Sequence, residues 1–268
     1  MAKSRVGFLG LGSMGKPMAK RLLTHGWDVV SCAHVHRQAL EELKTLGLIE
    51  VASPQAVAAQ TDIVITMVRD TQASQEVILG AQGALQSMPR NATLIIMSTL
   101  DPTFCQRVAS HASTQGVAVL DAPVSGLPFR AEQGTLAIMV GGESPVLEQY
   151  RPLLQTFGQI FPCGAVGMGM VAKLANNAVA VGTAALLLEA QALARAYGMP
   201  IAHLMEIFTQ ASADSFMVQH WEAIGAMWEH VIGLGLKDLG IGLEAAQHQG
   251  VSMPLISATL QHEWRRLP

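Results

Sequence analysis

The chain has 268 residues, of which 50% are hydrophobic and only 14% are charged, and its formal net charge is −3. Globular proteins contain about 25% charged residues on average, so this composition argues against long disordered segments, charged tails and a nucleic-acid-binding surface. A chain of this length is expected to form one large or two ordinary domains.

The first part of the chain, up to about residue 162, alternates short aliphatic runs with helical segments. The runs that predict strands are residues 6–9, 27–30, 62–67, 93–97, 117–120 and 136–140. Continuous apolar runs are typical of strands buried on both faces, and they predict a parallel sheet covered by helices. A capping residue before a proline predicts helix starts at Ser53-Pro54, Asp101-Pro102 and Ser144-Pro145. This part is therefore predicted to be α/β.

Beyond Gly164 the strand pattern ends, and Ala, Leu and Met become frequent. A long helix is predicted from about Met168 to Tyr197, where Gly198 and Pro200 end it. Shorter helices are predicted near residues 201–210, 216–228, 236–249 and 254–266. The second part is therefore predicted to be all-α, and the domain boundary is predicted between residues 163 and 164.

Two long uncharged stretches, residues 152–172 and 174–188, raise the question of a membrane segment. The first contains Pro162 and four glycines. The second is shorter than the ~20 apolar residues that span a bilayer, and it contains Asn176 and Asn177. Neither is predicted to span a membrane, and no signal-peptide pattern is found near Val6. We therefore expect a cytoplasmic protein without membrane or nucleic-acid partners.

The three cysteines, Cys32, Cys105 and Cys163, are far apart and show no CxxC spacing, and the nine histidines show no HExxH pattern. Neither a disulfide framework nor a metal site is predicted. The cysteines are interpreted as small buried hydrophobic side chains.

A glycine-rich motif directly follows the first predicted strand and opens a helix that ends near Gly26. The motif is Gly10-Leu11-Gly12-Ser13-Met14-Gly15. Its first glycine permits a tight turn, its second lets the backbone approach a pyrophosphate, and its third allows close packing of strand and helix. A chance glycine-rich turn is the alternative, but the strand–turn–helix context favours dinucleotide binding. The predicted fold is an N-terminal Rossmann doubly wound sheet, residues 1–163, followed by an all-α C-terminal domain, residues 164–268.

The end of the second predicted strand lacks the acid that an NAD site places there to bind the ribose hydroxyls. Ala33 stands at that place, and His34, His36 and Arg37 follow it. No carboxylate repels a 2′-phosphate, and a guanidinium and two imidazoles could bind one. The pattern predicts a preference for NADP(H) over NAD(H). The alternative is a solvated loop in a protein that discriminates weakly between the two.

Four motifs in the same order make this sequence resemble the 3-hydroxyacid (β-hydroxyacid) dehydrogenases over nearly its whole length. This family includes 3-hydroxyisobutyrate dehydrogenase and the glyoxylate, succinic semialdehyde and tartronate semialdehyde reductases. The motifs are residues 7–15, Asp121-Ala122-Pro123-Val124-Ser125-Gly126, residues 164–169 leading to Lys173 and Asn176-Asn177, and Lys237-Asp238-Leu239.

The resemblance implies a role for residues in each motif. Lys173 is implied as the catalytic residue, assisted by Asn177. The residues implied to bind or surround the substrate are Ser125, Gly126, Leu127, Lys237 and Asp238. Further residues are implied to contact the cofactor, besides the glycine motif and the three residues His34, His36 and Arg37 already named. They are Met67, Val68, Arg69, Thr99 and Lys237. The resemblance also implies a C-terminal domain like that of 6-phosphogluconate dehydrogenase and a small carboxylated aldehyde or hydroxyacid as substrate.

Three positions depart from the family pattern. Leu127 stands where the family usually has a glycine, Arg69 where it has a proline, and Met97 where it has an aspartate. Leu127 is expected to fill space beside the site for the substrate carboxylate, so it bears on the choice of substrate more than on the reaction.

Lys173 is the only charged residue between Arg151 and Glu189. Loss of hydration disfavours the charged form of a lysine, so burial here would lower its pKa from about 10.4 towards the range of an acid/base catalyst. Asn177 lies four residues later and projects from the same helical face. A surface lysine is the alternative for Lys173, just as an ordinary turn serine is for Ser125 and a solvated helix start is for Lys237-Asp238.

Two other classes of function stay open on the sequence alone: a cofactor-binding or reader module without catalysis, and an imine reductase. The presence of Lys173 argues against both. The nearly uncharged segment 179–188 is hydrophobic on more than one face, which demands burial by its own domain or by a second subunit. The family resemblance implies a homo-oligomer, so we expect a homodimer or homotetramer formed through the helical domain.

Overall fold

The computed structural model describes residues 5–33 and 37–261. Contacts within the chain divide it into two units, Met1–Lys173 and Leu174–Pro268. Helix α8, Met168–Ala196, runs across this division. The boundary predicted between residues 163 and 164 falls at the end of a strand, before this helix begins, and it stays a prediction.

In the first unit, nine strands of the described residues form one sheet. The strands are β1 Val6–Leu9, β2 Val29–Cys32, β3 Ile49–Val51, β4 Ile63–Thr66, β5 Thr93–Ile96, β6 Ala118–Asp121, β7 Val124–Ser125, β8 Leu136–Gly141 and β9 Gly158–Gly164. Their order is β3-β2-β1-β4-β5-β6-β8-β7, with β9 paired to β8. The order of the first six strands is that of a dinucleotide-binding Rossmann sheet, so the predicted α/β fold class is confirmed.

The sheet is parallel as predicted except near one edge, where β8 pairs antiparallel with both β6 and β7. Only about ten residues connect β7 to β8, and a parallel crossover needs a dozen or more. All other pairings in the sheet are parallel.

Both faces of the sheet are buried, as the apolar runs predicted. Along β1, Val6 and Phe8 belong to one apolar cluster and Leu9 to the other. Along β4, Ile65 joins the first cluster and Val64 the second. Successive residues of a strand point to opposite faces, so these strands need apolar side chains at every position.

Helices cover the sheet of the first unit. They are α1 Gly15–Thr24, α2 Gln38–Lys44, α3 Pro54–Ala58, α4 Thr71–Leu79, α5 Pro102–Thr114, α6 Leu127–Gln133 and α7 Ser144–Leu154. Ser53 and Asp101 cap α3 and α5 as predicted, since their side chains accept hydrogen bonds from the first turn. Ser144 is not a cap: it is itself the first residue of α7, and Glu143 precedes it without a capping bond. Proline still fits in this first turn because the amide that it lacks has no partner there.

Strand β2 lies two residues later than predicted, at Val29–Cys32. Polar Ser31 concealed it in the sequence. In the structure Ser31 is fully buried, and its hydroxyl donates to the Phe8 carbonyl over 2.7 Å. A buried hydroxyl with a partner is compatible with a core strand.

The described part of the second unit is helical throughout, as predicted. After α8 come α9 Ile201–Gln210, α10 Phe216–Gln219, α11 Trp221–Gly225, α12 Trp228–His248 and α13 Pro254–Gln261. The single helix predicted over 216–228 is wrong, because two short helices meet at His220. The start predicted at 236 is also wrong, because α12 continues through Gly235. A Cβ at Gly235 would lie 2.9 Å from Val181, so this glycine permits close packing rather than a break.

Helix α8 is long and apolar enough, by length and composition alone, to cross a membrane. A core helix of a soluble protein meets the same two criteria, so this finding is weak. The two uncharged stretches of the sequence, residues 152–172 and 174–188, are separated by Lys173. The structural elements have a different boundary in this region. Residues 158–164 form β9, and one helix then begins at Met168.

Candidate active site

The glycine motif forms the turn between β1 and α1, and its three glycines differ in their surroundings. Gly10 has a φ of +104°, and a Cβ there would collide with the Met67 carbonyl group. A Cβ at Gly15 would collide with the Gly10 carbonyl oxygen. At Gly12 nothing lies within 4 Å of a Cβ position. These are the surroundings expected for a tight turn, a close helix–strand contact and an open face that a pyrophosphate can approach.

The loop after β4 lies beside this turn, because β4 pairs with β1. Met67, Val68 and Arg69 follow β4, and the amide of Met67 donates to the Leu9 carbonyl over 2.7 Å. The amide of Val68 donates to Oγ of Ser98 over 2.8 Å. The carboxyl ends of β1, β4 and β5 therefore present the predicted cofactor segments along one edge.

Ser98 was not expected from the sequence as a site residue. It follows β5, next to Thr99, and is 1% exposed. Its hydroxyl holds the backbone of the loop that carries Val68. The one available signal was a serine placed directly after a buried strand.

The end of β2 is described only in part. Ala33 follows the strand, while His34 and His36 lie outside the described residues. The guanidinium of Arg37 donates to carboxylate oxygens of both Glu41 and Glu50, each over 2.8 Å.

Glu50 lies on β3, in register with Ser31 of β2. Hydrogen bonds from Lys44 and Arg37 lower the pKa of its carboxyl, so it is ionised at neutral pH. No carboxylate follows β2 in the sequence, but Glu50 of the neighbouring strand β3 places one beside the last residues of β2. No sequence motif links Glu50 to Arg37.

The substrate turn predicted at residues 125–127 has an unusual backbone. Ser125 ends β7, Gly126 has a φ of +143°, and Leu127 has a φ of +65° and begins α6. Leu127 and Asn91 are the non-glycine residues in the described part of the chain with positive φ. Leu127 therefore adopts a left-handed conformation that favours glycine.

Asp121 joins two of the predicted motifs within the first unit. It ends β6, is fully buried, and accepts hydrogen bonds from the amides of Gly167 over 2.7 Å and Met170 over 2.8 Å. Burial raises the pKa of its carboxyl, while the amides of Gly167 and Met170 act in the opposite direction. Lys173 lies on α8, three residues after Met170, and is 8% exposed. A surface position for Lys173 is therefore excluded.

In the second unit, three predicted residues form one hydrogen-bonded group. The amide nitrogen of Asn177 donates to Oδ2 of Asp238 over 2.6 Å, and the ammonium of Lys237 lies 2.7 Å from Oδ1 of the same carboxylate. Asp238 is 6% exposed. Asp238 thus accepts a hydrogen bond from Asn177 on one oxygen and forms an ion pair with Lys237 on the other, so it orients the Asn177 amide beside the Lys237 ammonium.

The comparison with known proteins covers the same two units. Residues 5–167 match the family described as the NAD binding domain of 6-phosphogluconate dehydrogenase, and residues 167–266 match the NAD-binding domain of NADP-dependent 3-hydroxyisobutyrate dehydrogenase. Mitochondrial 3-hydroxyisobutyrate dehydrogenase of Mus musculus is 33% identical, over 99% of this chain and 82% of the relative. The chain belongs to the 3-hydroxyacid dehydrogenase family.

Two further members of the 3-hydroxyacid dehydrogenase family are similar over most of their length. The NAD-dependent L-serine dehydrogenase of Pseudomonas aeruginosa is 33% identical, over 96% of this chain and 90% of the relative. The solved structure of Mycobacterium tuberculosis 3-hydroxyisobutyrate dehydrogenase with L-serine is 29% identical, covers 97% of this chain and 92% of its own, and has a TM-score of 0.84.

Membership of the 3-hydroxyacid dehydrogenases makes this chain a nicotinamide-dependent oxidoreductase of the alcohol–carbonyl type. The glycine motif fits the cofactor's pyrophosphate. Met14 precedes α1 and makes no capping bond through its side chain, and the first turn of this helix has no acidic residue. The positive end of the helix dipole and the open face at Gly12 therefore suit an anionic group.

Proposed function

We propose that this 3-hydroxyacid dehydrogenase interconverts a small hydroxyacid and its carbonyl counterpart, a semialdehyde for a 3-hydroxyacid or a 2-oxoacid for a 2-hydroxyacid, with NADP(H) as the preferred cofactor and Lys173 as general acid/base. The observation that carries the proposal is the burial of Lys173, which is 8% exposed on an otherwise uncharged stretch of α8. Lysine side chains are rarely this buried, because the ammonium loses hydration, so we propose that Lys173 is kept here for a chemical role.

A bound nicotinamide cofactor supplies or accepts the hydride at the carbon that bears the reacting oxygen. Lys173 gives a proton to the carbonyl oxygen during reduction and takes one from the hydroxyl during oxidation. Because burial removes hydration from the ammonium, the neutral amine is less disfavoured here than in water. A lysine in such a place can exchange protons near neutral pH.

Asn177 and Asp238 are proposed to support this step. One amide hydrogen of Asn177 is held by Asp238, and an amide nitrogen carries a second hydrogen. We propose that this second hydrogen donates to the reacting oxygen. Lys237, held by the same Asp238 carboxylate, is proposed to line the cofactor and substrate site.

The substrate class follows from the turn at Ser125. The hydroxyl of Ser125 and the backbone of Gly126 are proposed to hold the substrate carboxylate, with Leu127 narrowing the space beside it. Two relatives are named for 3-hydroxyisobutyrate and L-serine, which are both short acids with a hydroxyl on carbon 3. A panel of 3-hydroxyacids that differ in the group on carbon 2 tests this class.

The preference for NADP(H) is supported by Ala33, which places no carboxylate directly after β2. Arg37 is 54% exposed at its side chain, and its ion pairs with Glu41 and Glu50 are on the surface. Exposed ion pairs are weak, and a phosphate presents three acceptor oxygens and nearly twice the charge of a carboxylate. A 2′-phosphate is therefore proposed to replace these carboxylates at Arg37.

The decisive experiment compares Lys173→Ala with the wild-type protein and with Lys20→Ala, which removes an exposed lysine from the same unit. We expect Lys173→Ala to lower kcat by about 100-fold or more while cofactor affinity is retained, and Lys20→Ala to leave kcat unchanged. Equal activity of all three would refute the role of Lys173. If the wild type binds NADPH but turns over no 3-hydroxyacid, aldehyde or imine, the chain is a binding module instead.

We also propose a homodimer formed through α8. Val179, Leu186 and Leu193 are 71%, 67% and 63% exposed and lie seven residues apart, so they form one apolar stripe along the helix. Such a stripe on a charge-poor helix suits a second copy of itself. Light scattering is expected to give twice the chain mass of 28.5 kDa, and Leu186→Glu is expected to give the monomer. A wild-type monomer would contradict this proposal.

A further inference from the structure

Asp121 connects the two parts of the proposed active site that the first unit supplies. On one side, it is separated from Ser125 only by Ala122, Pro123 and Val124. On the other side, its carboxylate oxygens accept from the amides of Gly167 and Met170, one on each oxygen. A single buried carboxylate therefore links the strand that leads to Ser125 with the start of α8.

The start of a helix has amides without partners inside the helix, and it carries a partial positive charge. Asp121 satisfies one amide just before α8 and one in its first turn. Lys173 is three residues beyond Met170, which is about 4.5 Å along the helix axis. Because a helix is stiff over one turn, the position of Met170 fixes the position of the Lys173 backbone.

The carboxylate of Asp121 is closely surrounded by backbone atoms. A Cβ at Gly169 would lie 2.9 Å from Oδ2 of Asp121, and a Cβ at Gly141 would collide with Oδ1. Backbone from α8 and from β8 thus encloses the side chain on two sides. Because the packing around this carboxylate is close, a shift of Asp121 would also shift the segment that leads to Ser125 and the start of α8.

We propose that Asp121 is a positioning residue for catalysis: by holding the start of α8, it sets the place of Lys173 relative to the substrate turn at Ser125. Asp121 itself does not touch the substrate. The inference rests on the proposed role of Lys173, and its test includes a measurement that does not depend on activity.

The test variant is Asp121→Asn. An asparagine has one acceptor oxygen, so its NH2 group must face one of the two backbone amides, and donor opposes donor. The matched control is Thr61→Ala. Thr61 is 4% exposed and donates one buried hydrogen bond to the Val57 carbonyl over 3.0 Å, away from α8. Both variants lose a buried hydrogen bond, but only Asp121→Asn acts on the start of α8.

Two quantities are measured in the full-length protein. One is the rate at which acetic anhydride acetylates Lys173, followed by peptide mass spectrometry with Lys237 as the internal reference. The other is kcat for a 3-hydroxyacid of the panel, together with the Kd for NADPH. In Asp121→Asn we expect acetylation of Lys173 to rise about fivefold or more, kcat to fall about tenfold or more, and the Kd to change less than about twofold. Thr61→Ala is expected to leave all three near wild type.

Equal acetylation of Lys173 in the two variants, with equal losses of kcat, would overturn the proposal and make Asp121 a purely structural residue. If the wild type has no activity but acetylation rises only in Asp121→Asn, the proposed function fails while the control of Lys173 by Asp121 stands. Should Asp121→Asn not fold, Gly141→Ala tests the same carboxylate, because the atom with which its Cβ would first collide is Oδ1 of Asp121. Unchanged acetylation in a folded Gly141→Ala protein would likewise count against the proposal.

Discussion

The backbone conformation of Leu127 predicts that glycine at this position gives a more stable protein than alanine does, the reverse of the usual order in a helix. Its φ of +65° lies in the left-handed region. There the Cβ of an L residue approaches the following carbonyl oxygen, which costs about 1–2 kcal/mol. Glycine has no Cβ and avoids this cost, although it loses about 0.5–1 kcal/mol more backbone entropy on folding than alanine does.

Comparing Leu127→Gly with Leu127→Ala isolates this strain, because both variants lose the same leucine packing. The difference between the two costs leaves glycine more stable than alanine by roughly 0.5–1 kcal/mol. At an ordinary helical position the order is reversed, with alanine more stable by about 1 kcal/mol. Ser110 provides this control, since it is exposed in the middle of α5.

Urea unfolding of the four variants, with a common slope, gives the two differences in free energy of unfolding. We expect Leu127→Gly to be more stable than Leu127→Ala, and Ser110→Ala to be more stable than Ser110→Gly. If alanine is the more stable residue at both positions, Leu127 is not strained. The positive φ would then carry no information about the turn at Ser125.

Three other outcomes follow from individual contacts. Burial raises the pKa of the Cys32 thiol to about 11, and burial raises that of Cys105 as well, so both stay protonated at pH 8. Iodoacetamide should modify them about 100-fold more slowly in the folded protein than in urea, and equal rates would show accessible thiolates. Glu50→Gln removes one carboxylate from Arg37 and should raise the ratio of kcat/KM for NADPH over NADH severalfold, whereas a lower ratio would contradict the proposed role of Arg37. Ser98→Ala leaves the Val68 amide without its partner and should weaken NADPH binding about fivefold in a direct titration, whereas an unchanged Kd would mean that the loop does not depend on this bond.

The long elements of the fold could be predicted from the sequence because their patterns are local. The central strands β1, β4 and β5 were each located to within a residue, since each contains a run of buried apolar side chains. Strands β3 and β7, of three and two residues, are too short to show any pattern. They form because neighbouring strands offer them hydrogen-bond partners, which is a property of the tertiary structure.

Strand β9 was missed for a different reason. It contains Pro162 and two terminal glycines, which are unfavourable inside a central strand. It pairs with β8 alone in the described sheet, so it lies at an edge where proline is tolerated. A sequence pattern cannot distinguish an edge strand with proline from a loop, because the difference depends on whether another strand pairs with it in the fold.

The candidate site likewise contains features that a local sequence pattern reveals and features that only the fold creates. The glycine motif was readable because its residues act on one another within a single turn. Asp238 and its partner Asn177 are 61 residues apart, and Asp121 contacts amides 46 and 49 residues later. Spacings of this size are set by the fold, so the sequence alone could name Asp238 only through a family resemblance and gave Asp121 no role.

The low density of charge around Lys173 in the sequence does not hold in the folded protein, because Asp121 places a carboxylate at the start of the same helix. Along the chain, Lys173 stands alone between Arg151 and Glu189. In the folded unit, a buried carboxylate lies at the start of the same helix. The positive end of a helix dipole disfavours a nearby ammonium, and a carboxylate that binds the first-turn amides offsets this field. Asp121→Asn therefore removes a positional constraint on the segment that carries Lys173, together with the buried carboxylate at the start of that helix.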